Sequence, residues 1–161
     1  MNSNLNDTIN AQINTELWSA YLFLSMSTNA MSKGLKGVSE WFYMHHQKEL
    51  ADAKELIDYI ISIDGKVYFY PIEEIPTDWN SALDMFKHKL EHDKKISKII
   101  HSIATIAEEK QDYISLDILT KFAKKQLKEE NVTKELITAF EAAENNKYAL
   151  YILDKELSKE K

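Results

Sequence analysis

The chain has 161 residues, of which 44% are hydrophobic and 29% charged, with three glycines, two prolines and no cysteine. This length suits one domain with a packed core, and the scarcity of helix-breaking residues favours an all-α protein. The formal charge of -6 arises from acidic and basic residues mixed along the chain, which argues against a nucleic-acid partner and favours a cation. The absence of cysteine excludes disulfides and thiolate metal sites.

The amino-terminal stretch MNSNLNDTIN is polar and lacks the charged-then-apolar pattern of a signal peptide. No apolar run approaches the ~18 residues that a bilayer span requires. We therefore expect a protein that makes no membrane contact. A cysteine-free chain of this kind is compatible with the reducing cytoplasm, and we expect it to be cytoplasmic.

Four long segments with helical periodicity follow one another along the chain, and a fifth, short one ends it. The predicted helices are residues 5–32, 36–64, 81–108, 113–144 and 147–158. Ser81 and Asp84 resemble a capping box at the start of the third helix. The first and third connections are short, which makes the helices that they join antiparallel neighbours. The second connection, residues 64–80, can reach along a whole helix at ~3.3 Å per residue, so helices two and three run parallel.

These connections predict a four-helix bundle with one long crossover and a short fifth helix, forming a single domain over residues 1–161. Each long helix carries an apolar stripe that polar side chains interrupt near its midpoint. On the third helix, for example, the predicted stripe passes from Phe86 through Leu90 to Asp93. Midpoints of packed helices lie at one level, so the interruptions should converge. The converging residues are Glu16, Glu49, Asp52, Asp93, Gln126 and Glu129.

Five carboxylates at one buried level repel one another and resist ionisation, so something must neutralise them. Oxygen ligands suit hard divalent cations, and acids on all four helices of a bundle, some of them three residues apart, are a di-iron arrangement. Ion pairs with lysine remain an alternative, as do protonated acids on a face whose phase is misjudged. Recurrence of the interruption on every helix favours the metal site.

Five stretches of the sequence match a known pattern. They are NTELWSAYLFLSM (14–26), QKELADAKEL (47–56), LEHDKK (90–95), KKQLKEEN (124–131) and ALYILDKELS (149–158). Together they give the chain a resemblance, over essentially its whole length, to the non-haem bacterial ferritins. The resemblance implies a ferritin-like bundle and a hollow shell of twenty-four subunits, formed by copies of this chain or mixed with another ferritin subunit.

The resemblance also implies an iron pair inside the bundle. In that arrangement Glu49 bridges the two irons, and Glu16 and Asp52 each hold one side of the pair. Asp93 and Glu129 hold the second iron.

Similar centres oxidise Fe(II) with dioxygen or hydrogen peroxide and store Fe(III) mineral. In this ferroxidase chemistry Gln126 would hydrogen-bond an oxygen species or water. No part of the sequence places a haem.

The chain departs from the family pattern at the centre. Asp52 stands where the family's second helix has histidine, and Asp93 replaces a longer glutamate. Lys48, Lys125 and Lys128 stand where bacterial ferritins often carry acids for a third iron. Each of these lysines either lies in solvent with its stem over apolar surface or reaches the carboxylates and competes with Fe(II). We hypothesise that the ferroxidase centre is weakened or rebuilt.

Two other functions remain open. One is a shell or storage subunit that lacks rapid iron oxidation, and the other is a plain helical interaction protein that forms a small oligomer. His45 lies on the second-helix stripe, where a hydrogen-bonded core histidine is favoured over a metal ligand. His88 and His92 are four residues apart, a spacing that can bind a surface metal but is more often incidental.

Overall fold

The computed structural model describes residues 3–159, and within them the chain forms five helices. They are α1 Ser3–Ser32, α2 Lys36–Ser62, α3 Ala82–Glu109, α4 Tyr113–Ala142 and α5 Lys147–Leu157. The predicted all-α bundle with a crossover and a fifth helix is confirmed, and each predicted helix end lies within two residues of the observed one. Residues 1, 2, 160 and 161 of the predicted domain lie outside the described residues. None of the described helices is long and apolar enough to cross a membrane.

Side-chain caps explain where three of the helices begin. Ser81, Asp112 and Asn146 precede α3, α4 and α5, and each accepts a hydrogen bond from the backbone N–H three residues later, at 3.0 to 3.1 Å. Each cap satisfies a backbone donor that has no partner within its own helix. The Ser81 cap is the one that the sequence predicts.

The crossover loop, residues 63–81, runs along α1. Near one end, Asn10 of α1 holds it with two hydrogen bonds, from Nδ2 to Lys66 O at 2.9 Å and from Tyr68 N to Oδ1 at 2.7 Å. Near the other end, Ser25 Oγ donates to a loop carbonyl at 2.7 Å. Because the loop returns along α1 in this way, α3 begins beside the carboxyl end of α1 and runs parallel to α2.

The buried apolar residues form two clusters, one toward each end of the bundle. Aromatic side chains dominate the cluster on the side where α2 begins, and isoleucine and leucine dominate the other. Polar residues buried between the two clusters therefore sit in a low-dielectric layer, where charge interactions are stronger than in water. Members of the two clusters include Phe23, Trp41, Phe42 and Phe86 on one side and Ile9, Ile13, Leu56 and Ile100 on the other.

Gly37 allows α5 to pack against the first turn of α2. A Cβ atom at this position would overlap the backbone carbonyl of Asp154, so the close approach requires glycine. The Asp154 carboxylate then accepts a hydrogen bond from Val38 N at 2.8 Å. This places a negative charge at the amino end of α2, where the helix dipole favours it.

Candidate metal centre

The polar interruptions of the four long helices meet in one layer between the two apolar clusters. A cleft between α2 and α4 leads to this layer, and Lys48, Lys125 and Lys128 line it. The structure brings together all the residues that the sequence places there: Glu16, Glu49, Asp52, Asp93, Gln126 and Glu129. Their contacts divide them into two groups with different partners.

Three acids form the first group, which we call the carboxylate cluster: Glu16 of α1 with Glu49 and Asp52 of α2. One oxygen from each of the three lies within 4.8 Å of the other two. Glu16 and Glu49 are buried, with 3% and 9% of their surface exposed, whereas Asp52 borders the cleft. An all-oxygen donor set with access from a cleft fits a hard divalent cation such as Fe(II).

Burial raises the pKa of Glu16, and it raises the pKa of Glu49 well above its usual value. The charges of Glu16 and Asp52 add to the shift at Glu49. A hydrogen bond between the two carboxyl groups raises the pKa of Glu49 further and lowers that of Glu16. Gln12 orients Glu16 from one turn away, with Nε2 donating to Oε1 at 2.6 Å. A cation that binds here favours the ionised form of these carboxyl groups.

The second group surrounds a buried lysine of α3, and we call it the Lys89 network. Lys89 is 1% exposed, and its Nζ donates to Asp93 Oδ2 at 2.6 Å and to Glu129 Oε2 at 3.1 Å. A third hydrogen bond reaches Thr133 Oγ1 at 3.2 Å. These three bonds use all the donors of an ammonium group. The Lys89 ammonium group thus already serves as a shared cation for Asp93 and Glu129.

Aromatic rings enclose the Lys89 ammonium on its remaining sides. Nζ lies 5.5 Å from the ring centroid of Phe23 and 5.6 Å from that of Trp41, within the range of cation–π attraction. Burial alone would lower the pKa of Lys89, but the charges of Asp93 and Glu129 outweigh burial and raise it. Lys89 is therefore charged at neutral pH.

His45 supports the same network from α2. Its ring stacks on Trp41, with Nδ1 2.9 Å from Trp41 O and Nε2 hydrogen-bonded to Glu129 Oε2 at 3.0 Å. Burial opposes ionisation of Glu129, but the His45 hydrogen bond and the Lys89 charge hold the pKa of Glu129 well below its usual value. The prediction that His45 is a hydrogen-bonded core histidine agrees with these contacts.

Of the three lysines predicted to flank the centre, one reaches its carboxylates. Lys125 Nζ lies 3.0 Å from Asp52 Oδ1 and 3.2 Å from Glu55 Oε2, and its side chain is 41% exposed. Lys48 and Lys128 line the cleft but form no ion pair within 4.0 Å among the described residues. An exposed lysine can move into solvent at little cost in free energy. Lys125 therefore competes with a metal ion for the Asp52 carboxylate, but the metal ion can displace it.

The other polar side chains that the sequence singles out have partners within the protein. Gln126 Nε2 donates to a backbone oxygen of α3 at 3.2 Å. His88 Nδ1 accepts from Trp79 Nε1 at 3.0 Å, and His92 Nε2 is hydrogen-bonded to Ser19 Oγ at 2.6 Å. Because these bonds engage His88 and His92 separately, their spacing is incidental.

Lys89 is absent from the predicted site because the predicted α3 stripe follows positions one residue away from part of the buried face. The predicted stripe included Leu90, but Leu90 is only partly buried, and the neighbouring Lys89 is buried instead. Asp93 belongs to both assignments. Steps of four and three residues starting at Ala82 lead through Lys89 to Asp93. This spacing is the sequence signal that could have placed Lys89 on the buried face of α3.

Comparisons with known proteins agree with this architecture. The family described as Ferritin-like domain matches residues 6–143. The chain is 31% identical over 153 residues to the bacterial non-heme ferritin of Bacteroides fragilis (strain 638R), covering 95% of each chain. It is 27% identical over 146 residues to that of Campylobacter jejuni, covering 91% of this chain and 87% of the relative. A novel open pore ferritin from the hyperthermophilic archaeon Archaeoglobus fulgidus superposes with a TM-score of 0.98 at 34% identity, covering 100% of this chain and 99% of that one.

Proposed function

Because this chain belongs to the ferritin family, we propose that it is an iron-storage subunit that binds Fe(II) in its bundle, oxidises it and retains Fe(III) mineral within a cage. The observation that carries the proposal is the carboxylate cluster, buried beneath a cleft that opens between α2 and α4. Fe(II) is the substrate of this site rather than a resident cofactor.

The chain supplies binding and charge rather than a nucleophile. Carboxylate oxygens are hard ligands that favour Fe(III) over Fe(II), so coordination by the carboxylate cluster promotes loss of an electron. Each Fe(II) gives up one electron, and two such oxidations, at one site in succession or in two subunits, reduce one dioxygen molecule, which takes up two protons and leaves as hydrogen peroxide. Burial and neighbouring charges raise the pKa of Glu49, and a bound cation favours its ionised form.

Exposed apolar side chains support assembly into a shell. Tyr21 is 55% exposed, Leu50 42%, Ile61 59% and Phe69 68%. Tyr21 and Leu50 line one surface pocket together with Leu17, Ala20 and Ile72, and a contiguous apolar patch of this kind marks contact with another protein. We propose a cytoplasmic shell of twenty-four subunits, built from this chain alone or together with a second ferritin subunit.

A second candidate function is a shell or storage subunit without rapid ferroxidase activity. The Lys89 network and the Lys125–Asp52 ion pair favour it, because each places a positive charge among the acids that would bind iron. Asp52 also stands at the position where the family's second helix has a nitrogen ligand. The two candidates differ in the rate at which the protein itself oxidises Fe(II).

Stopped-flow absorbance after mixing metal-free protein, Fe(II) and oxygenated buffer separates the two candidates. If the carboxylate cluster is the ferroxidase site, Glu49→Gln abolishes the protein-dependent phase of oxidation. Asp58→Asn is the matched control, since Asp58 lies on the same helix with its side chain 57% exposed, and it should retain that phase.

The same samples, sized by chromatography and assayed for iron per particle, test the cage. Mineral-filled large particles without a Glu49-dependent phase would support the storage-only subunit. Small oligomers that retain no iron would contradict both candidates.

A further inference from the structure

We propose that the centre binds one divalent cation per subunit, at the carboxylate cluster, and that Lys89 supplies a fixed ammonium group where a second metal ion would sit. This inference rests on the proposed Fe(II)-binding function and specifies how many ions the site takes and where. It assigns Asp93 and Glu129 to the lysine rather than to a metal.

The two groups of acids lie on different helices and face different cations. Asp93 of α3 and Glu129 of α4 each have an oxygen bonded to Lys89 Nζ, at 2.6 and 3.1 Å. A divalent ion held by those same two oxygens at about 2.1 Å would lie within ~5 Å of Nζ. A dication and an ammonium group that close together in a buried layer repel each other strongly.

Lys89 cannot leave the layer as a surface lysine can. Its side chain is 1% exposed, all three ammonium donors have acceptors, and the rings of Phe23 and Trp41 cover it. Moving the ammonium out would open the aromatic cluster, leave buried Asp93 without its counter-ion and leave Glu129 paired with His45 alone. Lys89 is thus a permanent part of the layer.

Lys125 provides the contrast within the same layer. It also pairs with an acid, Asp52, but its side chain is 41% exposed and lies in the cleft. An arriving cation can therefore displace Lys125 into solvent and take Asp52 as a ligand. The difference in burial between the two lysines makes the carboxylate cluster available to metal and the Lys89 network unavailable.

Electron paramagnetic resonance with Mn(II) tests the number of ions directly, because isolated Mn(II) and a spin-coupled Mn(II) pair have different spectra. Mn(II) is a hard cation that takes oxygen ligands. We expect the assembled wild-type protein to give an isolated-ion signal that Glu49→Gln loses and Asp58→Asn keeps. When two equivalents of Mn(II) are added per subunit, no coupled-pair signal should appear.

Lys89→Met removes the ammonium while keeping an unbranched side chain, and we expect it to produce the coupled-pair signal at two Mn(II) ions per subunit. Lys95→Met is the matched control. Lys95 is also on α3 and also four residues from an acid, Glu91, but its side chain is 72% exposed. Its spectra should match those of the wild type.

The Mn(II) spectra decide the number of ions at the site and the role of Lys89. A coupled pair in the wild type would overturn the one-ion site while leaving the proposed iron function intact. Absence of any Glu49-dependent Mn(II) signal would overturn both. A folded Lys89→Met protein that still binds only isolated ions would show that Lys89 is not what excludes the second ion. If Lys89→Met does not assemble, the wild-type and Glu49→Gln spectra still decide the number of ions.

Discussion

Lys89 Nζ lies 2.6 Å from Oδ2 of Asp93, one turn further along α3, and both side chains are buried. A single helix thus carries an acid of the central layer and the cation that neutralises it. The pair accounts for how the bundle tolerates buried carboxylates on this side without a metal ion. On the other side of the layer, burial raises the pKa values of Glu16 and Glu49, which favours their neutral forms when no metal is bound.

Removing the lysine should make stability depend on metal. In metal-free protein, Lys89→Met leaves Asp93 and Glu129 without their cation, and we expect a loss of roughly 3–5 kcal/mol in the free energy of unfolding. Added Mn(II) should raise the melting temperature of this variant more than that of the wild type, because an ion can then enter the vacated position.

Thermal scans with and without Mn(II) make the measurement, and Lys95→Met, at an exposed position, should behave as the wild type. Equal melting temperatures for metal-free wild-type and Lys89→Met proteins would show that the network contributes no net stability.

Lys125 should weaken metal binding at the carboxylate cluster because it pairs with Asp52. We expect Lys125→Ala to tighten Mn(II) binding by up to about fivefold, the equivalent of about 1 kcal/mol for a partly exposed ion pair. Lys121→Ala is the control, since Lys121 pairs with Glu55 at 2.6 Å and not with Asp52. Titration calorimetry measures both affinities, and equal effects of the two substitutions would refute a direct competition at Asp52.

His92 should make the metal-free protein less stable in mild acid. Burial, together with the charges of His88, Lys89 and Lys95, lowers the pKa of His92 to about 4, while α1 presents the Ser19 hydroxyl to the ring. In the unfolded chain the His92 ring has a pKa of about 6.5, so below that pH it binds a proton, whereas the ring in the native protein stays neutral down to about pH 4. Stability linked to His92 therefore falls between about pH 6.5 and pH 4, by roughly 3 kcal/mol in total.

Denaturant unfolding of wild type and His92→Gln at pH 7 and pH 5 isolates this contribution, because the other titrating groups are common to both proteins. The wild type should lose more stability between the two pH values than the variant. A difference of the opposite sign would mean that His92 is protonated in the native state.

Gly37 should be required for docking of α5. Gly37→Ala places a methyl group against the Asp154 carbonyl, so either the helix shifts or the hydrogen bond from Val38 N to Asp154 breaks. We expect faster hydrogen exchange at the Val38 amide and through α5, with little change in the α1 to α4 core.

Gly34→Ala makes a poor control because Gly34 has a φ of 76°, which strains any other residue. Gln47→Ala, at an exposed position of α2, serves better, and unchanged exchange in Gly37→Ala would contradict the role of the close approach.

Local signals in the sequence were enough for the fold. Helix ends followed from glycine, proline and caps such as Ser81, and the length of the 64–80 connection implied the crossover. The convergence of six polar residues followed from the recurrence of interrupted stripes. These features depend on local chemistry and chain length, which the sequence states directly.

The partners of the polar residues could not be read in the same way. Lysine is usually exposed, so Leu90 was assigned to the core in place of Lys89, although the acids of two helices hold the lysine there. Lys48, Lys125 and Lys128 all border the cleft, but only Lys125 is placed to reach Asp52. Such pairings depend on side-chain direction across helices, which periodicity does not specify.

Anomalous scattering from crystals soaked anaerobically in Fe(II) tests the one-ion centre most directly. We predict one iron per bundle, coordinated by the carboxylate cluster, with the Lys89 ammonium still bonded to Asp93 and Glu129. A second iron bound by Asp93 and Glu129, with Lys89 displaced from them, would contradict this account.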